Sequence, residues 1–592
     1  MITFYDYLVI AFYLAFMLAL GLIFRRFNRD SSDYFRGGGS MLWWMCGASA
    51  LMVNFSAWTF TGAAGMIYET GTLILALYYA NVVAFVLVYF FTCFRYRQLR
   101  VVTYVEAIRN RFGRLNEQVY VWIQIPLFLL NGSIFLNALG VFISSVFGID
   151  LTLTILVVGT VVLGMAVAGG AWAVVASDFI QMLVVMAITI VAAYLALSHD
   201  EVGGISGLLE RAPAAHFDWS ELGRLPILGL WVLALLFSQS LAANNLSIGA
   251  SRFLMVKDGR HARKATLVPM IGMLFLPLVW IIPPIAATIT NPDLASEFPE
   301  LKTPTEAAFV AICLKTMPQG LVGLLVCGIF AATMSTMDSE LNASAGIFVR
   351  NLYRPRNREA SEVELLRVGK VATVVFGILT ITAGALLSLW REMGLFNLVL
   401  QVTGQIEIPL VIPLLLGMFV RRTPAWVVWS TVFVAMAAAW FAPSFVDAAA
   451  VQNLMGWNTP LTSLEADSLN YAVMIFAVVL AGGGWYGLGS WLGRPSPAAY
   501  RQREEEFFVT INTPIDPERE QVPDVDHAQY RLLGILCLVY GGFVTLLAFI
   551  PNEWIGRLCF VFCGGLVFAV GGLLYLTSRN VARRDDGDSH QN

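Results

Sequence analysis

Apolar runs of about twenty residues recur fifteen times along this chain, with mostly short polar stretches between them. Their approximate bounds are 5–25, 41–67, 70–94, 118–145, 150–168, 171–197, 226–247, 265–290, 319–347, 366–389, 395–420, 424–442, 470–491, 531–551 and 556–577. A helix of about 20 apolar residues is long enough to cross the hydrocarbon core of a bilayer. No water is available there to satisfy a free backbone N–H or C=O, so each run is predicted to be a helix. Composition agrees. Charged residues make up 13% of the 592, and hydrophobic residues 58%, against about 25% charged in an average soluble domain. That leaves too little polar surface to cover a water-soluble particle. The sequence therefore predicts an all-α, multi-pass integral membrane protein, expected in a cytoplasmic (inner or plasma) membrane, with the lipid bilayer as a partner. The formal net charge of −3 gives no reason to expect nucleic acid as one.

Lys and Arg in short loops mark the inner side of a membrane protein. Loops 95–117, 251–264 and 350–370 carry six, five and six of them, and Arg421 and Arg422 follow the eleventh run. The intervening loops 198–225, 291–318 and 443–469 are poor in both and mostly acidic. This alternation requires an odd number of crossings, with the N-terminus outside and the C-terminus inside. Arg25, Arg26 and Arg29 flank the first run on its C-terminal side, so it reads as a retained helix rather than a cleaved leader. The polar loop 492–530, at about 40 residues, is too short for an enzyme domain. The polar tail 579–592 is expected to be disordered.

Histidine and cysteine supply no chemistry at bilayer depth. All five histidines fall in polar segments, and the seven cysteines form no CxxC pair or Cys/His cluster. They read as small buried hydrophobes. No cofactor and no catalytic residue is expected, and the chain is not read as an enzyme.

Carboxylates and hydroxyls remain. Asp178, Asp338, Glu340 and Glu407 lie inside apolar runs, where each ionisable group costs about 2.5–3.5 kcal/mol on insertion scales. Such groups persist as snorkelling end residues, as structural pairs or as functional sites, and the pattern alone leaves all three open. In the ninth run, Ser335 and Ser339 stand one helical turn apart beside Thr336. Hydroxyls with free carbonyls suit a hard cation, which prefers oxygen; interhelical hydrogen bonding is the other use of such residues. The second run contains MVNFSAWTFTG at 52–62. A polar cluster followed by glycines suits a local break, tolerated where it lines a cavity, or else ordinary Gly/Ser helix packing.

Longer motifs carry a resemblance. SSDYFRGGGSMLWWMCGASALMVNFSAWTFTGAAG, TYVEAIRNRFG, GGAWAVVASDFIQ, SRFLMVKDGRHARKA and CGIFAATMSTMDSELNASAGIFVRNLYRP occur in that order. Together they resemble the solute:sodium symporter (SSS) family over about residues 30–425; past about 430 only helix count and hydropathy match. The resemblance implies a LeuT-type core of two inverted five-helix repeats, 41–197 and 226–422. An extra N-terminal helix with its inner loop (1–40) would precede them and further helices (423–578) would follow. It implies sodium held by the carbonyls of Met52, Phe55 and Ala332 and the hydroxyls of Ser335 and Thr336. A possible second sodium falls on Asp178, Ser335, Asp338 and Ser339, where Asp338 replaces a hydroxyl and could instead pair with an arginine. The solute would be lined by Asn54, Trp58, Thr59, Tyr78, Asn81, Asn244, Asn245 and Gln401. Tyr78, Met273 and Ile248 replace the acidic, basic and aromatic positions of the sugar-transporting branch, which argues against a galactose-like solute.

The expected function is sodium-coupled symport of a small organic solute by alternating access. Proton-coupled symport is one alternative. A transporter-like membrane sensor is another, although no inner segment is long enough for a signalling domain.

Overall fold

In the computed structural model of the chain, residues 2–24, 37–168, 171–247, 249–390, 392–446, 448–493, 497–520 and 525–589 are described. Arg25, Arg26, Arg29 and Ile248 lie outside them, as do residues 31–36 and 169–170 of the family-like motifs. All regular structure among the described residues is helical; a single isolated bridge joins Met41 and Val256. Thirteen helices are long and apolar enough to cross a membrane, and two shorter apolar helices, Trp43–Val53 and Leu151–Val167, accompany them.

The helices that position the site are, in chain order, α1 (Phe4–Phe24), α2 (Trp43–Val53), α3 (Ala57–Phe60), α4 (Gly62–Thr70), α5 (Leu75–Leu87), α6 (Arg114–Phe147), α7 (Leu151–Ala168), α8 (Ala171–Leu197), α9 (Leu225–Ala242), α10 (Gly259–Trp280), α11 (Leu321–Ile347), α12 (Glu362–Trp390), α13 (Leu395–Val402), α14 (Ile408–Gly417), α15 (Ala425–Phe445), α16 (Ser463–Leu492), α17 (Asp526–Leu546) and α18 (Trp554–Ser589).

At the centre stands α11, whose most apolar window is entirely buried in protein. It packs against α1, α2, α6, α7, α8 and α12. Its sequence explains the position. A helix carrying Ser335, Thr336, Asp338 and Glu340 has no face that tolerates lipid, so it is driven inside the bundle. Asp6 of α1 caps it: Oδ1 accepts the backbone N–H of Gly323 at 2.7 Å. A carboxylate there satisfies a first-turn amide and complements the helix dipole.

The second predicted run is not one helix. It stops at Val53, resumes as the single turn α3, and resumes again as α4. Gly71, at φ +59°, then begins a 3-10 turn into α5. The seventh run also ends early, at Ala242 rather than 247; Asn245 turns the chain there by accepting the N–H and hydroxyl of Ser247 at 3.1 and 2.5 Å.

The inner loop is partly helical. Ala498–Asn512 packs on Tyr104–Phe112. Between them the buried Arg111 donates to the carbonyls of Gly417 (3.4 Å), Val420 (3.2 Å) and Arg421 (2.6 Å) and pairs with Glu504 at 3.4 Å. It thereby satisfies orphan carbonyls at the end of α14. Toward the C-terminus, α18 continues as helix to Ser589, the last described residue. Gly534, Gly541, Gly564 and Gly571 line the α17–α18 contact. A Cβ on Gly541 would meet the backbone nitrogen of Phe568 at 2.4 Å, and one on Gly564 that of Thr545 at 2.4 Å. Only hydrogen side chains let the two backbones approach so closely.

Candidate functional site

The interruption between Val53 and Ala57 is built from its own sequence. Ser56 caps α3 by accepting the N–H of Trp58 at 3.3 Å, and Thr61 Oγ1 bonds back to the carbonyl of Ala57 at 2.9 Å. In an unbroken helix the N–H of Ala57 would close on the carbonyl of Val53. Here it donates instead to Thr333 Oγ1 of α11 at 2.8 Å. The break therefore leaves backbone carbonyls without their helical donors, and it is tied across to the hydroxyl-rich face of α11. Phe55, 1% exposed, anchors the corner by packing on Phe60 and Trp280 at 5.1 and 4.0 Å between ring centres.

On the adjoining face Ser335 Oγ is fully buried and makes no close hydrogen bond, with the Asp178 carboxylate as its polar neighbour. Thr336 Oγ1 bonds only within its helix, to the carbonyl of Ala332 at 3.3 Å. An unpartnered buried hydroxyl is costly unless something else binds there. The carbonyl of Met52 is used by Phe55 N–H at 3.0 Å. Among the described residues no group of three or more His, Cys, Asp or Glu is placed to hold a metal, so a cation here depends on hydroxyls and carbonyls.

A second cluster lies alongside. Asp178 of α8 is fully buried and accepts a hydrogen bond from Ser49 of α2; Ser335 also faces its carboxylate. Arg252, 4% exposed, reaches in from the 3-10 turn Gly249–Leu254. Its Nε donates to Ser49 Oγ at 2.6 Å, Nη2 donates to Ser339 Oγ, and Nη2 stands 4.0 Å from Asp178 Oδ2. Asp338, on the same helix, keeps one carboxylate oxygen without a partner. The four residues Asp178, Ser335, Asp338 and Ser339 thus sit in one neighbourhood, with a guanidinium already inside it.

Beside the break is a cavity of about 150 Å³, bordered by Asn54, Trp58, Tyr78, Asn81, Asn245, Thr336 and Glu407 among others. A larger cavity of about 490 Å³ is separated from it by Trp58, Phe396 and Leu400. Trp58 stacks on Phe396 at 5.7 Å and donates its indole N–H to the carbonyl of Leu395 at 3.2 Å. A smaller space of about 60 Å³ is bordered by Arg252 and Ser339.

Residues 34–438 match the sodium:solute symporter family. The chain belongs to that family. Its relatives include a sodium/glucose cotransporter of Vibrio parahaemolyticus, 26% identical over 457 residues, covering 71% of this chain and 82% of the relative. A sodium/sialic acid symporter of Aliivibrio fischeri is 24% identical over 435 residues, covering 71% and 84%. A human sodium/myo-inositol cotransporter is 27% identical over 468 residues, covering 71% and 66%. The fold resembles the substrate-bound, outward-open structure of a Na⁺-coupled sialic acid symporter with a TM-score of 0.65 at 21% identity, over 84% of this chain and 99% of that one. The nucleobase-cation-symport-1 family transporter Mhp1 aligns with a TM-score of 0.51 at 14% identity, over 81% and 99%. The protein is a multi-pass, sodium-coupled symporter of a small organic solute, and its family are transporters, not enzymes.

The symporter's predicted solute residues separate in space. Asn54, Trp58, Tyr78, Asn81 and Asn245 border the central cavity. The buried hydroxyls of Thr59 and Tyr78 face each other and have no other hydrogen-bond partner. Asn244 turns away: its Oδ1 accepts from Thr92 Oγ1 at 2.6 Å and Tyr96 OH at 2.7 Å, and its amide donates to the Ser240 carbonyl at 2.7 Å. Gln401 borders the larger cavity. Met273, at the basic position of the sugar branch, is buried on the central cavity wall. Sequence reasoning passed over Gln239, Asn131 and Thr403, which also border the cavity, and over Ser49 and Arg252 of the buried ion network. Arg252 belonged to a motif but was counted only as an inner-side charge.

Proposed function

We propose that the symporter binds sodium at the carbonyls of Met52, Phe55 and Ala332 with the hydroxyls of Ser335 and Thr336, and its solute in the adjoining central cavity. The observation that carries this reading is the helix break at 54–56 tied to Thr333 of α11, with Thr336 on the same face bordering the cavity and the buried Ser335 hydroxyl next to it. Thr336 belongs both to the ion's ligand set and to the cavity wall, so ion and solute share a partition. Sodium tying α2–α3 to α11 favours the outward-facing, solute-competent arrangement. Solute then closes the outer gate at Trp58 and Phe396, and the ion leaves toward the smaller space beside Ser339. The two inverted repeats, 41–197 and 226–422, rock about this site. Fifteen crossings, with the N-terminus out and the C-terminus in, place the arginine-rich loops on the cytoplasmic side of the inner or plasma membrane.

A second sodium would take Asp178, Ser335, Asp338 and Ser339. The Arg252 guanidinium fills that charge position, so a second ion enters only in a state where Arg252 has withdrawn. With one ion, about 100 mV contributes ~2.3 kcal/mol and a tenfold sodium gradient ~1.4 kcal/mol. Together these support roughly 500-fold accumulation of a neutral solute.

The cavity's amides and aromatic rings, with no Lys or Arg in its lining, suit a small polar solute without a carboxylate. Glucose and myo-inositol, solutes in the relatives' names, are the first probes, with sialic acid, a carboxylate, as the contrasting one that should bind less well; a wider metabolite screen by thermal shift with and without sodium follows. In proteoliposomes, uptake of the solute so found should require sodium, and Ser335→Ala and Thr336→Ala should each abolish that requirement or the uptake. Wild-type sodium dependence in both variants overturns the site.

A further inference from the structure

Glu340 of α11 is 2% exposed, and neither carboxylate oxygen has a hydrogen-bond partner. It lies within electrostatic reach of Glu407, which ends the π-turn Thr403–Glu407 between α13 and α14 and borders the central cavity. Glu407 is 8% exposed, and its Oε1 accepts from Asn131 Nδ2 of α6 at 2.6 Å. Thr380 of α12 is an independent signal: its Oγ1 is fully buried and also has no partner. The two orphan groups converge on the same gap beside Gly132. A Cβ there would lie 3.4 Å from Glu340 Oε2 and 3.7 Å from Thr380 Oγ1.

Among the described residues no positive side chain serves this pair. On α6 the nearest charges are Arg114 and Glu117, and Glu117 is occupied by Asn351 at 2.7 Å. From Glu117 to Asn131 the helix rises about 20 Å. On α12 the nearest base, Lys370, is about 15 Å of rise from Thr380, and Arg350 is about as far from Glu340 beyond the end of α11. Asp178 faces Arg252, and Asp338 lies near Asp178, on another side of α11. Neither α9 nor α15 carries a charged residue, and those of α16, Glu465 and Asp467, are acidic. Two neighbouring carboxylates in so dry a setting cannot both carry charge without a positive charge between them.

We propose that Glu340, Glu407, Asn131 and Thr380 form a further cation site, separate from the Ser335–Thr336 position, that holds a single sodium ion. Oxygens from α6, α11, α12 and the π-turn would surround it, as a hard cation requires. Glu407 opens it to the solute cavity. Its place on a π-turn, a frequent feature of functional sites in helices, makes the bound charge a link between the central helix and the segment that follows the outer gate.

The test uses the full chain in nanodiscs with radioactive sodium. The Ser335→Ala/Thr336→Ala protein retains a bound sodium that is lost when Glu340→Gln is added. Gly132→Ala keeps both carboxylates but fills the gap, so it checks the result in a protein whose charges are intact and should also lower sodium binding. No sodium retained by the Ser335→Ala/Thr336→Ala protein, or retention that neither Glu340→Gln nor Gly132→Ala reduces, overturns the proposal. The outcome is independent of whether the Ser335–Thr336 position couples transport, because that position is removed throughout.

Discussion

The backbone N–H of Ala57 donates to Thr333 Oγ1 at 2.8 Å, joining the interrupted second helix to the central one. Thr333→Val keeps the shape and removes the acceptor, leaving a buried amide unsatisfied at a cost of about 1–3 kcal/mol. Sodium-induced thermal stabilisation should fall accordingly, whereas Thr333→Ser should preserve it. Equal stabilisation by sodium in the valine variant and the wild type would show that the joint does not matter to the ion.

Trp58 closes the central cavity on the side of the larger one by stacking on Phe396 and bonding to the Leu395 carbonyl. Trp58→Phe keeps a ring and loses the hydrogen bond, worth about 1 kcal/mol, which corresponds to about a fivefold shift toward an open outer gate. All seven native cysteines are buried, so a cysteine introduced at Asn54 reports on this directly. Its labelling from outside should speed up by about that factor.

Asp258 caps α10, accepting the N–H of His261 at 2.8 Å. Burial works to raise its pKa, but the His261 ring and the backbone N–H groups outweigh it and hold the carboxyl at about 2. The folded value lies below the unfolded value of about 3.9. The stabilisation is therefore complete above about pH 4 and lost as pH falls through about 2. Asp258→Ala should lower stability by about 1 kcal/mol at neutral pH. Melting curves of the two proteins should converge only in strong acid; a gap that is independent of pH would mean that the charge is irrelevant.

Gly541→Ala places a methyl 2.4 Å from the Phe568 backbone nitrogen, whereas at Gly542 the nearest atoms are 3.8 Å away on the Phe568 ring. The first change should cost about 1–3 kcal/mol through overpacking and the second almost nothing. Thermal unfolding of the detergent-solubilised chain measures both.

What the sequence discloses here depends on how local the cause is. The interruption at 54–56 is visible because Asn, Ser and Gly within ten residues cannot sustain an apolar helix facing lipid. The central place of α11 follows from its own hydroxyls and carboxylates. The departures are long-range. Asn244 reads as a cavity amide until Thr92 and Tyr96, about 150 residues earlier, are found to satisfy it. Arg252 counts as an inner-side charge in any loop tally, and only the crossing of α2, α8 and α11 shows that it is buried against Asp178. The helix Ala498–Asn512 has a charged, weakly patterned sequence; it is held by Arg111 and by aromatic packing that no local pattern contains.

Gln529, on α17, accepts the N–H of Leu42 at 3.2 Å and donates to the Ser40 carbonyl at 3.0 Å. The C-terminal hairpin thus acts as a doorpost that grips the start of α2, so a movement of α3–α4 relative to α2 is expected to hinge at the break 54–56. A covalent staple between positions 42 and 529 should leave turnover intact, whereas one between 57 and 333 should stop it.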